Sequence, residues 1–275
     1  LKFIKDNGDS LEVRAEDDAS LPFEDEDDFN KSAPQYEAAG FKAYYFGETG
    51  DAPTDGAMRT GRQTVSLGGE SFNFYFEKSG SKKGQGVTGE EDDRFYQSGK
   101  LMAAGSAERY QVVMREEVTA IDDEDESKTT KIYKYTLLDD VEAFTNLKEG
   151  AISKETIKTT SGNVTVTTNY LIEKVNVDDL VDKYGEDYNL ETKYPSIDNL
   201  NKDAGDVSEL YVCWTSVKRS DEADASWSTG IDEDMFFLVN TSGRVVDGKG
   251  RSKDGSDYYF VTGSNGEIKA IYLED

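Results

Sequence analysis

The side chains of this chain that could do chemistry are carboxylates, tyrosines, lysines and a single thiol, because its 275 residues include no histidine. Histidine is the side chain that titrates nearest neutrality, so its absence excludes Ser-His-Asp and Cys-His nucleophile pairs and any His-ligated zinc, iron or copper centre. Cys213, set between Val212 and Trp214, reads as a small buried hydrophobe, and one cysteine makes no internal disulfide. Carboxylates are abundant, 57 acids against 31 bases, and an acid pair held ~5–9.5 Å apart can hydrolyse a glycosidic bond. Nothing in the spacing selects one pair, so a carboxylate-dependent glycosidase ranks last and no catalytic residue is assigned. The acidic runs Asp25-Glu26-Asp27-Asp28 and Asp122–Glu126 lack the alternating Asp spacing and closing Glu that wrap a calcium ion, and read as solvated charge. No metal ligand and no cofactor is expected. A net charge of −26 also argues against nucleic acid as a partner, since that contact rests on clustered Lys and Arg.

What the spacing does select is aromatic. Tyr44-Tyr45-Phe46, Phe74-Tyr75-Phe76, Phe95-Tyr96 and Tyr258-Tyr259-Phe260 are the candidate ligand-binding residues, because such rings stack on the apolar face of a sugar while a phenol hydroxyl stays wet. Each set is followed by a glycine-containing tail and then by a second short run, as in Gly47–Gly50 before Ala57-Met58-Arg59, or Ser79–Gly84 before Gln85-Gly86-Val87. Weaker copies run Leu1-Lys2-Phe3 to Gly8 and Phe236-Phe237-Leu238 to Gly243. A β-rich run, a residue suited to positive φ and another run predict a β-hairpin. Strict alternation would put Tyr45 and Tyr75 on the face opposite the core. Lone hairpins are marginal in water, so the copies are expected to stack and bury one aromatic face on the next, as a solenoid does.

Gly61-Arg62-Gln63-Thr64-Val65-Ser66-Leu67-Gly68-Gly69 leading into Phe74-Tyr75-Phe76, with Asp55-Gly56-Ala57-Met58-Arg59-Thr60-Gly61 before it, resembles the cell-wall-binding repeats of Gram-positive surface proteins, of the choline-binding and glucan-binding type. The resemblance covers about 41–105 and 235–275. It implies an extracellular, cell-surface or cell-wall-associated protein that attaches to envelope glycan through aromatic sites between hairpins. The positions that cage choline in such repeats hold Arg62, Glu90 and Ser106 after the terminal glycine and Ala43, Asn73, Met235 and Asp257 before the triplet, so a quaternary ammonium is not expected as ligand.

The elements that must position these rings divide by charge. Segments 1–40, 41–110, 111–234 and 235–275 carry net −8, −1, −16 and −1, and the near-neutral two hold the clearest repeats. The expected order is a partial repeat with an acidic linker, hairpin repeats, an acidic β-rich or α+β insertion, and hairpin repeats again. Within the insertion, Tyr110–Met114 and Lys131–Leu138 read as strands around an acidic loop, and Asn163–Ile172 as another strand. Asp139–Phe144 and Val177–Tyr184 read as helices, the second stopped by Gly185, and Asn189–Asp206 as a loop. No apolar stretch is long enough to span a bilayer, and a start at Leu1 without Met is expected of a processed or truncated piece. The fold class expected is mainly β: a solenoid-like array of hairpin repeats with a more acidic insertion. The function expected is a non-catalytic module binding cell-wall polysaccharide or another envelope glycan, the alternative being a spacer or adhesion scaffold that meets a protein partner.

Overall fold

The computed structural model describes residues 1–15, 25–47, 56–122, 125–138, 152–159, 162–169, 172–213, 236–246, 248, 250–255 and 257–275. The protein is mainly β, built from several antiparallel sheets. It forms two compact units, each discontinuous: 1–102 with 116–135 and 152–168, and 103–115 with 136–151 and 169–275. This grouping cuts across the four charge-defined segments.

In the first unit, β1 (Lys2–Asp6) and β2 (Leu11–Ala15) form a hairpin whose turn has Gly8 at φ 86°, the left-handed region that suits glycine. The Gly8 amide donates to Asp6 Oδ1 at 2.8 Å, so Asp6-Asn7-Gly8 serves the turn as expected. Helix α1 (Glu26–Ala38) follows, and β3 (Lys42–Tyr44) pairs with the other edge of β1. Next come β4 (Gly61–Leu67) and β5 (Glu70–Phe76), joined through Gly68 and Gly69, both at positive φ as a two-residue hairpin turn requires. β6 (Gly89–Glu90), β7 (Phe95–Gln97) and β8 (Lys100–Leu101) complete a five-stranded sheet ordered β4-β5-β8-β7-β6.

Helix α1 corrects the reading of 25–28 as a solvated run. Asp25 is its N-cap, accepting from the Asp28 amide at 2.9 Å, and Glu26, Asp27 and Asp28 fill the first turn, where the helix dipole favours acids. The helix lays Phe29 and Ala33 into a core with Phe3, Phe41, Ala43, Val65, Leu67, Phe74 and Phe76. Phe29 meets Phe74 edge-on at 5.5 Å. These rings are nearly inaccessible to water, and each fully buried Phe contributes about 1.5–3 kcal/mol of transfer free energy.

β9 (Tyr110–Asp122), β10 (Asp125–Leu138), β11 (Ile152–Thr159) and β12 (Gly162–Asn169) form a sheet ordered β10-β9-β12-β11. The acidic loop expected between the first two is shorter than predicted, since strand runs up to Asp122 and resumes at Asp125.

In the second unit, β13 (Ile172–Val175) leads into helix α2 (Val177–Tyr184), which has the expected bounds. Asn176 caps its start and Gly185, at φ 93°, ends it. The segment expected to be a loop holds α3 (Leu190–Lys193) and a 3₁₀ turn at Ala204–Asp206, and it buries Leu190, Tyr194, Ile197, Leu200 and Ala204. β14 (Val207–Cys213), β15 (Phe236–Asn240), β16 (Gly250–Lys253), β17 (Tyr258–Thr262) and β18 (Ile268–Glu274) follow. The central sheet runs β13-β14-β18-β17-β16, while β15 pairs with Tyr110–Met114 of β9.

That central sheet is packed on both faces. Leu210, Val212, Val261, Ala270 and Tyr272 face the helical segment, whereas Tyr211, Cys213, Phe260 and Ile271 face Val112, Met114, Phe236 and Leu238. The period-2 alternation along β14 and β18 supplies both layers. The helix expected at 139–144, the turn residues 48–50 and both tryptophans lie outside the described residues.

Candidate functional site

Every aromatic set named from the sequence sits where a hairpin begins. Tyr45 O accepts from Arg59 N at 2.7 Å and Ala57 O from Gly47 N at 3.1 Å, which pairs the first set with Ala57-Met58-Arg59. Glu77 and Gln85 pair across the turn at 78–84, Gln97 and Lys100 across Ser98-Gly99, Val239 and Val245 across the turn ending at Gly243, and β17 with β18 across the turn ending at Gly266. Ser98 and Gly99 are at φ 50° and 93°, so this turn is left-handed at both central residues. No helix occurs at any of these sets.

Burial separates rings that pack from rings that present a face. Phe74, Phe76, Phe95, Tyr96 and Phe260 are buried, while Tyr44, Tyr45, Phe46, Tyr75, Tyr258 and Tyr259 are half-buried. Tyr75 lies on the outward side of β5, opposite Phe74 and Phe76, as alternation predicts. Tyr45 does not follow that rule: it stacks on Phe76 at 6.1 Å and packs against the core of the first unit. The reason is phase. Ala43 is the core-facing residue of that strand, so Tyr45 two positions on shares its side. In the last set Tyr259 stacks on buried Tyr272 at 5.2 Å, and Tyr258 donates to Glu209 Oε2 at 3.1 Å. Burial and the Glu209 carboxylate push the Tyr258 phenol up to about 12. Tyr211 donates to the same Glu209 oxygen at 3.0 Å, so these phenols are committed to holding a carboxylate.

The outward side of β4–β8 is therefore the surface of the first unit on which a ring and a ligand can meet. Tyr75 lies 5.8 Å from Tyr96 with a 42° tilt, and its cross-strand partner is the exposed Arg62. Lys78 Nζ stands 5.9 Å from the Tyr75 ring centroid, within cation–π range. Burial raises the Tyr96 phenol, opposed by the charges of Arg94 and Arg62 and assisted by Asp92. The Arg94 guanidinium is held by the Asp92 carbonyl at 2.9 Å. The arrangement can offer the Tyr75 ring to a flat apolar face, with the Lys78 ammonium over the ring and Arg62 beside it.

On the other side of this sheet is a polar network that sequence reading missed. Glu37, 4 % exposed, accepts from the Thr88 hydroxyl and, at 2.6 Å, from Gln97 Nε2. Gln97 Oε1 in turn accepts from the Tyr135 amide at 2.7 Å, and Thr88 Oγ1 from the Ser98 amide at 2.7 Å. Lys100, 1 % exposed, is ion-paired with Glu26, donates to Asn30 at 3.1 Å and stands over Phe72 at 5.0 Å. Burial pulls the Lys100 ammonium below its ordinary range, against Glu26 and Asp27. The only signal available in sequence was the i, i+4, i+11 placement of Glu26, Asn30 and Glu37 on one helix, and that helix was itself unread. This network braces α1 against β7 and β8.

Cys213 is buried in the second unit, and burial pushes its thiol well above its ordinary value, away from nucleophilic use. Among the described residues, no group of three or more Cys, Asp and Glu side chains is placed to hold a metal ion. No helix among them is long and apolar enough to cross a membrane. No family model, curated protein or solved structure matches the chain.

Proposed function

We propose that the protein is a non-catalytic, cell-surface or cell-wall-associated module that binds envelope glycan through the outward aromatic face of its hairpins. The observation that carries the reading is Tyr75: a half-buried ring on the face of β5 opposite the core, with Tyr96 beside it. A solenoid-like stacking of hairpins is part of this reading. It draws support from the first unit, where Gly86 N donates to Ala43 O, Gly99 N to Val87 O and Tyr75 N to Gly99 O, so that consecutive hairpins share backbone bonds. The resemblance to cell-wall-binding repeats supplies the compartment and the polymer class.

A spacer or adhesion scaffold that contacts a protein partner is the second reading. What favours it is the burial of Phe74, Phe76, Phe95, Tyr96 and Phe260, which makes five of the eleven candidate rings core. Pull-down on Gram-positive cell walls tests the two. Retention of the wild type and its loss in Tyr75→Ala, with thermal unfolding unchanged, are expected of the glycan module. Absence of wild-type retention assigns the hairpins to spacing.

A further inference from the structure

We infer that the Tyr75 face takes an acidic saccharide, one whose sugar carries a carboxylate, rather than a neutral glucan. The inference rests on the glycan reading and goes further by naming the ligand's charge. In a chain of net −26, residues 56–88 carry five bases, Arg59, Arg62, Lys78, Lys82 and Lys83, against two acids, Glu70 and Glu77. Three of those bases sit on the turn 78–84 that follows Tyr75, and all three are exposed.

Their placement around the ring is specific. Arg62 is the antiparallel partner of Tyr75 across β4 and β5, so its side chain leaves the sheet on the same outward side. Lys78, two residues beyond the end of β5, reaches back over the ring, its Cε lying 3.2 Å from where a Cβ on Gly61 would stand. Glycine at 61 therefore leaves room for the lysine arm. Arg62, Lys78, Lys82 and Lys83 form no ion pair among the described residues, whereas Lys100, Lys202 and Lys269 do. For such cations no internal carboxylate must be displaced before a ligand anion binds, which leaves only desolvation and side-chain ordering to oppose it.

The chemistry that fits is a pyranose with one apolar face and one anionic substituent at its rim. The face stacks on Tyr75 while Arg62 gives a carboxylate a planar fork of donors and Lys78 a point charge. A neutral sugar would leave the cations unused. A bare polyanion would leave the ring unused.

Affinity electrophoresis of the full chain against three polymers tests this: polygalacturonate as the uronate probe, a neutral maltooligosaccharide and inorganic polyphosphate. Polygalacturonate is expected to retard the wild type, with binding weakened roughly tenfold or more in Tyr75→Ala and in the Arg62→Ala, Lys78→Ala double variant, and restored by Tyr75→Phe. Raising salt from 50 to 200 mM should weaken it further. Equal binding of the neutral polymer, untouched by the double variant, overturns the charge assignment and leaves the glycan reading standing. Equal binding of polyphosphate that survives Tyr75→Ala shows plain charge attraction and overturns the inference. Cell-wall retention without polygalacturonate binding also overturns it, while loss of both removes the glycan reading with it. Unchanged unfolding midpoints in all variants keep these outcomes separate from misfolding.

Discussion

Glu37 is a carboxyl that α1 carries into the interior of the first unit, and burial raises its pKa despite the lowering effect of its bonds from Thr88 and Gln97 and of the nearby Lys42 charge. A carboxyl whose folded pKa lies above its unfolded one holds a proton after the unfolded chain has lost it. Its stabilising contribution is thus complete below the ordinary carboxylate range and declines as pH rises through the raised value. Since net charge gives the whole chain a slope of the same sign, the informative quantity is a difference. Glu37→Gln removes the titration but offers an acceptor oxygen to only one of the two donors, Thr88 and Gln97, so at pH 5 it should cost about 1–3 kcal/mol. That cost should shrink steadily toward pH 8, as read from urea unfolding midpoints, and a constant gap across the range would show that Glu37 does not titrate there. Such a residue was not legible in advance. A glutamate eight places beyond Phe29 is equally at home on a solvated helix face, and only the arrival of Thr88 and Gln97 from hairpins about 50 and 60 residues away makes it internal.

At the scale of elements, the hairpins were the legible part, because their signal is local. A β-rich run, a residue that tolerates positive φ and a second run within a dozen positions fix the pairing, and Gly8, Gly80, Gly99, Gly243 and Gly266 all take φ above zero where the turns were expected. Helix α1 stayed unread because its cap and first turn are acids that look like a solvated run and because Pro34 sits inside it, a residue that normally ends a helix. The stretch 189–206 shows the same failure: Leu190, Tyr194, Ile197 and Leu200 recur at helix-like intervals, but Pro195 and several Asn and Asp residues conceal them. Tyr45 was assigned the wrong face because the phase of a short strand depends on which neighbour the core accepts, here Ala43. How hairpins join is also non-local, and Gly86 records it. A Cβ there would stand 2.6 Å from the Ser98 carbonyl carbon and 2.9 Å from Gly99 N, backbone atoms that have no rotamer to escape into. Gly86→Ala should therefore destabilise the first unit by about 1–3 kcal/mol, the usual cost of overpacking, and lower its thermal midpoint. Gly105→Ala, with its nearest neighbour at 3.8 Å, is the control and should change little.

For the whole molecule the governing quantity is net charge of −26 on 275 residues, a self-repulsion that opposes the compact state at low ionic strength. The Debye length falls from about 30 Å at 0.01 M salt to about 8 Å at 0.15 M, so added salt screens repulsion between distant acids while leaving contacts such as Glu26 with the buried Lys100 largely unaffected. Salt should therefore raise the unfolding midpoint. The face around Tyr75 responds in the opposite sense, since Arg62 and Lys78 attract an anion across solvent and lose that attraction as the ions multiply. One salt series thus moves two observables of the same protein in opposite directions: thermal stability upward and polygalacturonate binding downward. Ammonium sulfate acts on stability through surface exclusion as well, so sodium chloride between 10 and 300 mM is the cleaner titrant. A midpoint that falls with sodium chloride would show that internal ion pairing, rather than repulsion among the acids, dominates the charge energetics of the fold.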